Sequence, residues 1–291
     1  MNIAILSRGE KLYSTQSLVK AGEKRNHEME VLDPSYFTIV TEDSKAIIYY
    51  HNEIVDDLHA IIPRIGASNT FYGASLVRQF EAAGIFSAVS ANSIIHSRDK
   101  WMSFQILTKA GIPVPRTALG HPFYNEDLLK TFGDYPVIIK ILEGTHGNGV
   151  ILSESPKNAL ATIETLQTSN VKFVIQEYIA ESKGADLRAI VVDGVVVASM
   201  KRQCKEGDFR SNLHRGGSSE VIQLTTAEEH IAIKSAKALQ LGVCGVDILQ
   251  SSRGPLVLEV NSTPGLEGIE KTTGKNISKS IIGYLERNKT R

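Results

Sequence analysis

The chain is poor in residues that make covalent or metal staples. Its 291 residues include two cysteines, Cys204 and Cys244, and one tryptophan. The cysteines form no CxxC pair, which argues against a disulfide framework or a thiolate zinc site and fits a reducing compartment. Charge of one sign is also lacking. Lys+Arg and Asp+Glu both number 32, for a formal net charge of zero, whereas nucleic-acid-binding domains usually carry a clear basic excess. No direct nucleic-acid contact is expected. Long hydrophobic runs are missing too. No stretch approaches the roughly 20 apolar residues that span a membrane, and the richest, Ala189 to Ala198, is broken by Asp193-Gly194. The N-terminal run Ile3-Ala4-Ile5-Leu6 is shorter than the ~7 residues of a signal-peptide core. The expectation is a cytoplasmic protein without membrane contact. The eight histidines form no HExxH or clustered metal spacing. With 42% hydrophobic residues the chain escapes the signature of disorder, and at this length it can bury compact cores unaided.

At about 150 residues per domain, the length predicts roughly two domains. In the first of them short β-type runs alternate with helix-like stretches. Ile3–Leu6 and Ala60–Pro63 read as buried strands, Ser14–Arg25 and Ser75–Ala83 as helices, and such alternation predicts a parallel sheet covered by helices. The pattern loosens around Asn92–Asp99, and a new helix is expected from Asp99 to Gly111. Ile112-Pro113-Val114-Pro115 must be extended, because each proline disfavours α conformation in the residue before it. A domain boundary is placed near residue 95. Beyond it, Pro136–Leu142, Val171–Tyr178, Leu187–Val192 and Val195–Met200 read as strands. The last two flank Asp193-Gly194, a strong hairpin signal because both turn residues need positive φ. Glu228–Leu241 reads as a helix ended by Gly242, a further hairpin follows, and Ile277–Arg291 reads as a polar-faced terminal helix.

That hairpin carries the most informative chemistry. If its turn centres on Arg253, Asp247 falls opposite Glu259, and Asn261 shares the face of Glu259 by strand periodicity. Opposed like charges destabilise a sheet, and a cation between them would convert that cost into binding. Oxygen donors without His or thiolate favour Mg²⁺ or Mn²⁺ over zinc. By itself the hairpin fits a nucleotide metal site or an ordinary exposed ribbon with incidental acids. Val246, Ile248, Leu258 and Val260 are expected on the opposite, buried face.

Two further stretches bear on phosphate chemistry. Val137-Ile138-Ile139-Lys140 is a strand ending in a lysine, followed by a loop with Gly144, Gly147 and Gly149 whose backbone N–H groups can approach phosphate closely. It matches neither a Walker A loop nor a Rossmann fingerprint, and a simple hairpin loop is the alternative. Met200–Gly217 carries Lys201, Arg202, Lys205, Arg210 and Arg215 against Glu206 and Asp208, with almost no apolar periodicity. It reads as a long basic loop, suited to bidentate recognition of phosphate or carboxylate or else simply solvated.

Lysine with glycine loop, basic loop and carboxylate hairpin occur in the chain order of an ATP-grasp ligase. The resemblance is to the RimK-type ribosomal-protein glutamate ligases. It is carried by Arg98-Asp99-Lys100, Lys140 with its loop, Gln176–Ile179, Lys205–Gly217, Gly245–Ile248 and Asn261–Glu270, and in the first domain by Ile62–Gly66 and Phe71-Tyr72-Gly73. It covers nearly the whole chain. His146 departs from the glutamine expected in the glycine loop.

The resemblance implies an α/β and α+β architecture: an N-terminal pre-ATP-grasp domain over residues 1–95 and an ATP-grasp domain over 96–291. The latter would divide into a lid-bearing part, 96–178, and a metal and substrate part, 179–291. It implies that Lys100 and Lys140 hold ATP phosphates, that Glu177, Tyr178 and Ile179 form the hinge that reads adenine, and that Asp186 meets the ribose. Arg210, Ser211 and Asn212 would contact the nucleotide, and Asp247, Glu259 and Asn261 would hold two Mg²⁺ or Mn²⁺ ions. Arg202 and Arg210 are the catalytic candidates. Arg202 would steady an acyl phosphate or tetrahedral oxyanion, an ordinary surface arginine being the alternative. The implied reaction joins free L-glutamate to the C-terminus of a small-subunit ribosomal protein with an acidic tail, in a homo-oligomeric enzyme. The competing readings are a ligase for another amino acid or a small-molecule acceptor, and an ATP-binding module without turnover.

Overall fold

The computed structural model describes residues 1–120, 126–133, 135–142, 149–205 and 216–289. Chain order begins with β1 (Asn2–Leu6), α1 (Tyr13–Glu23), β2 (Glu28–Leu32), β3 (Phe37–Glu42), β4 (Lys45–Tyr50), β5 (Glu53–Ile54), β6 (Ala60–Pro63), α2 (Thr70–Ala82) and β7 (Phe86–Ser87). The expected parallel sheet is present, in the order β2-β1-β6-β7. Its two central strands are buried on both faces, which is why they read as unbroken apolar runs. The antiparallel meander β3-β4-β5 was not expected. Its strands are half exposed and carry little clean alternation.

Then follow α3 (Ala91–Arg98), α4 (Lys100–Lys109), β8 (Thr117–Leu119), α5 (Glu126–Lys130), β9 (Val137–Ile141), β10 (Val150–Ser153), α6 (Pro156–Thr168) and β11 (Phe173–Glu177). The stretch where the pattern loosened is helical. Ser90 caps α3 through the Ser93 N–H, and Asp99 ends it and caps α4 through the Met102 N–H at 2.9 Å. One polar residue closing one helix and opening the next hides both from a search for apolar periodicity.

The last part comprises β12 (Ala185–Val192), β13 (Val195–Gln203), β14 (Ser218–Val221), α7 (Thr226–Ala238), β15 (Val243–Ser251), β16 (Gly254–Asn261), α8 (Glu267–Thr273) and α9 (Ile277–Asn288). Asp193 and Gly194 both have positive φ, 54° and 74°, as their hairpin requires. Gly242 does not end α7. Gln240 takes the left-handed conformation there and the Leu241 N–H closes on the Ala236 carbonyl at 2.8 Å. Gly242 is needed for another reason, since a Cβ would lie 2.1 Å from the Tyr284 hydroxyl.

Two hydrophobic cores result. One runs continuously from the parallel sheet through the five-stranded sheet β14-β13-β12-β15-β16. The four-stranded antiparallel sheet β10-β9-β11-β8 keeps its own small core, with Val137, Ile139, Ile163, Phe173 and Ile175. Residues 178–184 lead from β11 of this outlying sheet to β12 of the main body. Among the described residues no helix is long and apolar enough to cross a membrane.

Candidate active site

The floor of the site is the hairpin of β15 and β16. Asp247 pairs with Glu259, and Gly245 with Asn261. The expected pair forms, though not by the expected geometry. Ser251 pairs with Gly254, so the turn is the two residues Ser252 and Arg253, and a β-bulge between Asp247 and Ile248 absorbs one extra residue on β16. That residue is Leu258. The bulge turns it and Glu259 together toward the open side, so Leu258 is only half-buried while Val257, fully buried, takes its place in the core. Val246, Ile248 and Val260 are buried as expected.

Asp247 is 2% exposed and meets two arginines. Arg188 on β12 donates to both its oxygens, at 2.7 and 2.6 Å, and Arg202 on β13 donates to Oδ2 at 2.8 Å. Arg202 in turn holds both oxygens of Asp186, at 2.6 and 2.5 Å. Two expectations change. Arg202 lies on β13 rather than in a loop, because Met200 and Arg202 are alternate inward positions of a strand that runs to Gln203. Its guanidinium, 4% exposed and paired with two carboxylates, is not that of an ordinary surface arginine. Asp186 is 3% exposed and accepts from Arg202 at both of its oxygens. Arg188, which sequence reasoning missed, is the more open cation at 14% side-chain exposure. Its signal was available: it lies two residues from Asp186 in a strand, and so on the same face.

Electrostatics separate the two acids. Burial works against the Asp247 charge, but Arg188 and Arg202 outweigh it and hold the carboxyl below its usual range. Glu259 opens onto the cleft yet has protein on most sides, and burial together with Asp247 raises its pKa. Asn261 completes the face, its Oδ1 accepting the Thr263 N–H at 2.8 Å with a second lone pair remaining. Among the described residues no three His, Cys, Asp or Glu side chains are placed to hold a metal. The donor set is therefore two carboxylates and an amide. Opposed carboxyls with all-oxygen donors fit a hard divalent cation, whose charge would relieve the repulsion on Glu259.

Two ammonium groups face this floor from other elements. Lys140, on β9, donates to Gln176 Oε1 at 2.6 Å, and Lys100, at the start of α4, donates to the Leu142 carbonyl at 2.7 Å. Burial pushes the Lys140 pKa down to about 8, with Glu259 opposing, Lys100 adding to the shift and Asp247 opposing. Burial also lowers Lys100, again with Glu259 opposing. The structure thus brings Lys100, Lys140, Asp247, Glu259 and Asn261 together. Glu177 ends β11, its carboxyl accepting the Arg116 N–H at 2.7 Å and pairing with Arg253 of the hairpin turn. Tyr178 and Ile179 continue from it out of the outlying sheet. Arg210, Ser211 and Asn212 lie outside the described residues, as do residues 143–148 of the glycine loop with His146. Gly149, which closes that loop, has φ +75° and would carry a Cβ 2.1 Å from Ile141 Cγ1, so glycine is required there.

The RimK-like ATP-grasp domain model matches residues 97–285, and the RimK pre-ATP-grasp domain model residues 1–94. The chain belongs to the RimK-like ATP-grasp family. Its relatives include probable alpha-L-glutamate ligases of Teredinibacter turnerae, 50% identical over 99% of this chain and 96% of that protein, and of Halorhodospira halophila, 48% identical over the same shares. The ATP-grasp ligase PsnB, solved with a minimal precursor, shares the fold at a TM-score of 0.78 and 21% identity, over 99% of each chain. A RimK domain protein from Sphaerobacter thermophilus does so at 0.73 and 19%, over 98% of this chain and 100% of its own. Another PsnB structure, with TM-score 0.76 and 20% identity over 100% of this chain and 99% of that one, contains Mg and ADP. Membership makes this protein an ATP-dependent ligase that forms carbon–nitrogen bonds.

Proposed function

We propose that this ligase joins the amine of L-glutamate to the C-terminal carboxylate of a protein acceptor with an acidic tail, a small-subunit ribosomal protein being the acceptor that the family resemblance suggests. The observation that carries the reading is the convergence of Lys100 and Lys140 on the Asp247–Glu259 pair, two cations opposite two anions across one cleft.

In this reading the lysines hold the phosphates of ATP, while Asp247, Glu259 and Asn261 hold Mg²⁺ or Mn²⁺, which supplies charge neutralisation to the phosphates when bound. The outlying sheet closes about residues 177–179, whose backbone reads the adenine. An oxygen of the acceptor carboxylate attacks the γ-phosphorus, ADP leaves, and an acyl phosphate forms. The glutamate amine then attacks the acyl carbon, a proton is lost from nitrogen, and the tetrahedral intermediate expels phosphate as the C–N bond is completed. No nucleophilic side chain is required. The protein positions the reactants and stabilises spreading negative charge. Arg188 faces the cleft floor for the second task, and Arg202 fixes Asp247 from behind.

The test is ADP release with an acidic-tailed acceptor and each of the twenty amino acids in turn, read together with the intact mass of the acceptor. Stimulation by glutamate with glutamyl mass increments supports the reading. Release stimulated only by another amino acid overturns it, and Mg-ATP binding without any release identifies a binding module.

A further inference from the structure

Three arginines converge on the loop after β6, residues 64–70, and among the described residues none has a salt-bridged acid. Arg64 is half-buried, and its Nη1 donates to the Pro264 carbonyl at 2.9 Å. Arg98 donates from Nη1 to the Gly66 carbonyl and to Thr70 Oγ1, both at 2.8 Å, and from Nη2 to the Ile65 carbonyl. Arg8, exposed, reaches Ser68 Oγ at 3.4 Å. The acids of the surrounding elements are committed elsewhere. Asp99 caps α4. Glu270 on α8 accepts from the Ile277 and Ser278 N–H groups at 2.8 and 3.1 Å and from Ser17 Oγ at 3.0 Å. Glu267 pairs with Lys271 at 2.6 Å. Burial lowers the Arg64 pKa to about 10 and lowers that of Arg98 as well, with no opposing anion in either case.

Desolvating a cation without a counter-charge is costly, and a guanidinium fork suits a carboxylate in a bidentate manner. The location says which carboxylate. Arg64 follows β6, at the C-terminal end of the parallel sheet, where open α/β sheets bind ligands. Its partner Pro264 belongs to the segment that leaves β16 just beyond Asn261. In that segment the buried hydroxyls of Ser262 and Thr263 have no hydrogen-bond partner. Arg64 thus stands beside the metal-type hairpin, where the acyl group would react. An α-amino acid carries its α-carboxylate two bonds from its amine, so a cation that orients the amine must lie close to that centre.

We propose that Arg64 binds a carboxylate of the amino acid whose amine is joined, with Arg98 ordering the loop that presents it and Arg8 at the mouth. This rests on the ligase reading above and adds the residue that recognises the amine substrate.

The experiment compares wild type with Arg64→Gln and Arg64→Lys, measuring KM separately for glutamate, acceptor and ATP, with Mg-ADP binding by calorimetry as the fold control. The expected result is a glutamate KM raised ten-fold or more in Arg64→Gln and by less in Arg64→Lys, which keeps the charge but loses the fork. KM for ATP and acceptor stays within about two-fold. An unchanged glutamate KM overturns the proposal, as does a rise confined to the acceptor. If Arg64→Gln fails to bind Mg-ADP, Arg64→Lys decides by the same comparison. Wild-type enzyme stimulated by a different amino acid overturns the glutamate reading alone, and the Arg64 comparison is then made on that amino acid. Wild-type enzyme stimulated by none overturns both.

Discussion

Asp247 and Glu259 oppose one another across β15 and β16, yet their carboxyls are driven in opposite directions. Two arginines clamp Asp247 as an anion, while burial and that same anion make the charge on Glu259 costly. The protein keeps a like-charge pair beside a bulge at the edge of its five-stranded sheet, at a cost in stability.

Glu259→Gln should separate turnover from stability. ADP release should fall by roughly 10²-fold or more, the scale seen when one charge-stabilising group is lost. The unfolding midpoint should hold or rise, because a repulsive cross-strand pair costs of the order of 0.2–1 kcal/mol. Wild-type turnover in this variant would remove the metal assignment.

The two arginines on Asp247 should behave differently. Arg202→Ala takes from Asp186 the guanidinium that holds both its oxygens and from Asp247 one of its two arginines, and breaking such a buried network costs about 3–5 kcal/mol, so urea unfolding should shift to markedly lower concentration. Arg188→Ala leaves Asp247 with Arg202 and should cost less stability while still depressing turnover. Equal destabilisation would contradict the placement of Arg188 on the cleft side.

If Lys140 holds phosphate as proposed, nucleotide binding should be sensitive to alkali. Its ammonium, pushed down to about 8, is charged below that pH, and phosphate favours the charged form. Affinity for ATP should therefore be full below pH 8 and fall as pH rises through it. Lys140→Arg, charged throughout, should flatten the profile, which KM for ATP between pH 6.5 and about 9.5 would reveal.

Acid should loosen the junction of α1 and α9. Arg25, through Nε, and His27 hold Glu286 at 2.8 and 2.7 Å, and the hydrogen bond from Arg25 leads the effects that lower its pKa to about 2. A depressed carboxyl stabilises above its unfolded value, about 4.3, and loses that contribution as pH falls through about 2. The difference in urea midpoint between wild type and Glu286→Gln should be present at neutral pH and vanish toward pH 2.

Much of this was legible before folding. The apolar runs Ile3–Leu6 and Ala60–Pro63, the Asp193-Gly194 turn and the order of lysine, basic stretch and acidic hairpin depend on neighbours along the chain. Periodicity and turn chemistry encode such relations locally. The meander β3-β4-β5 was not legible, because half-exposed strands need no clean alternation. Nor was the role of Leu258: symmetry about Arg253 gave the right pair only because a shorter turn and a bulge compensate.

The sequence by itself determined the family, the two acids and the two lysines, since those are matters of residue identity and spacing. Tertiary structure alone decided that Arg202 and Asp186 pair, that Arg188 meets Asp247 from the more open side, and that Arg64 has no salt-bridged acid among the described residues. Each of these depends on which charges are brought within a few ångströms after desolvation, and that is a property of packing between strands and domains distant along the chain.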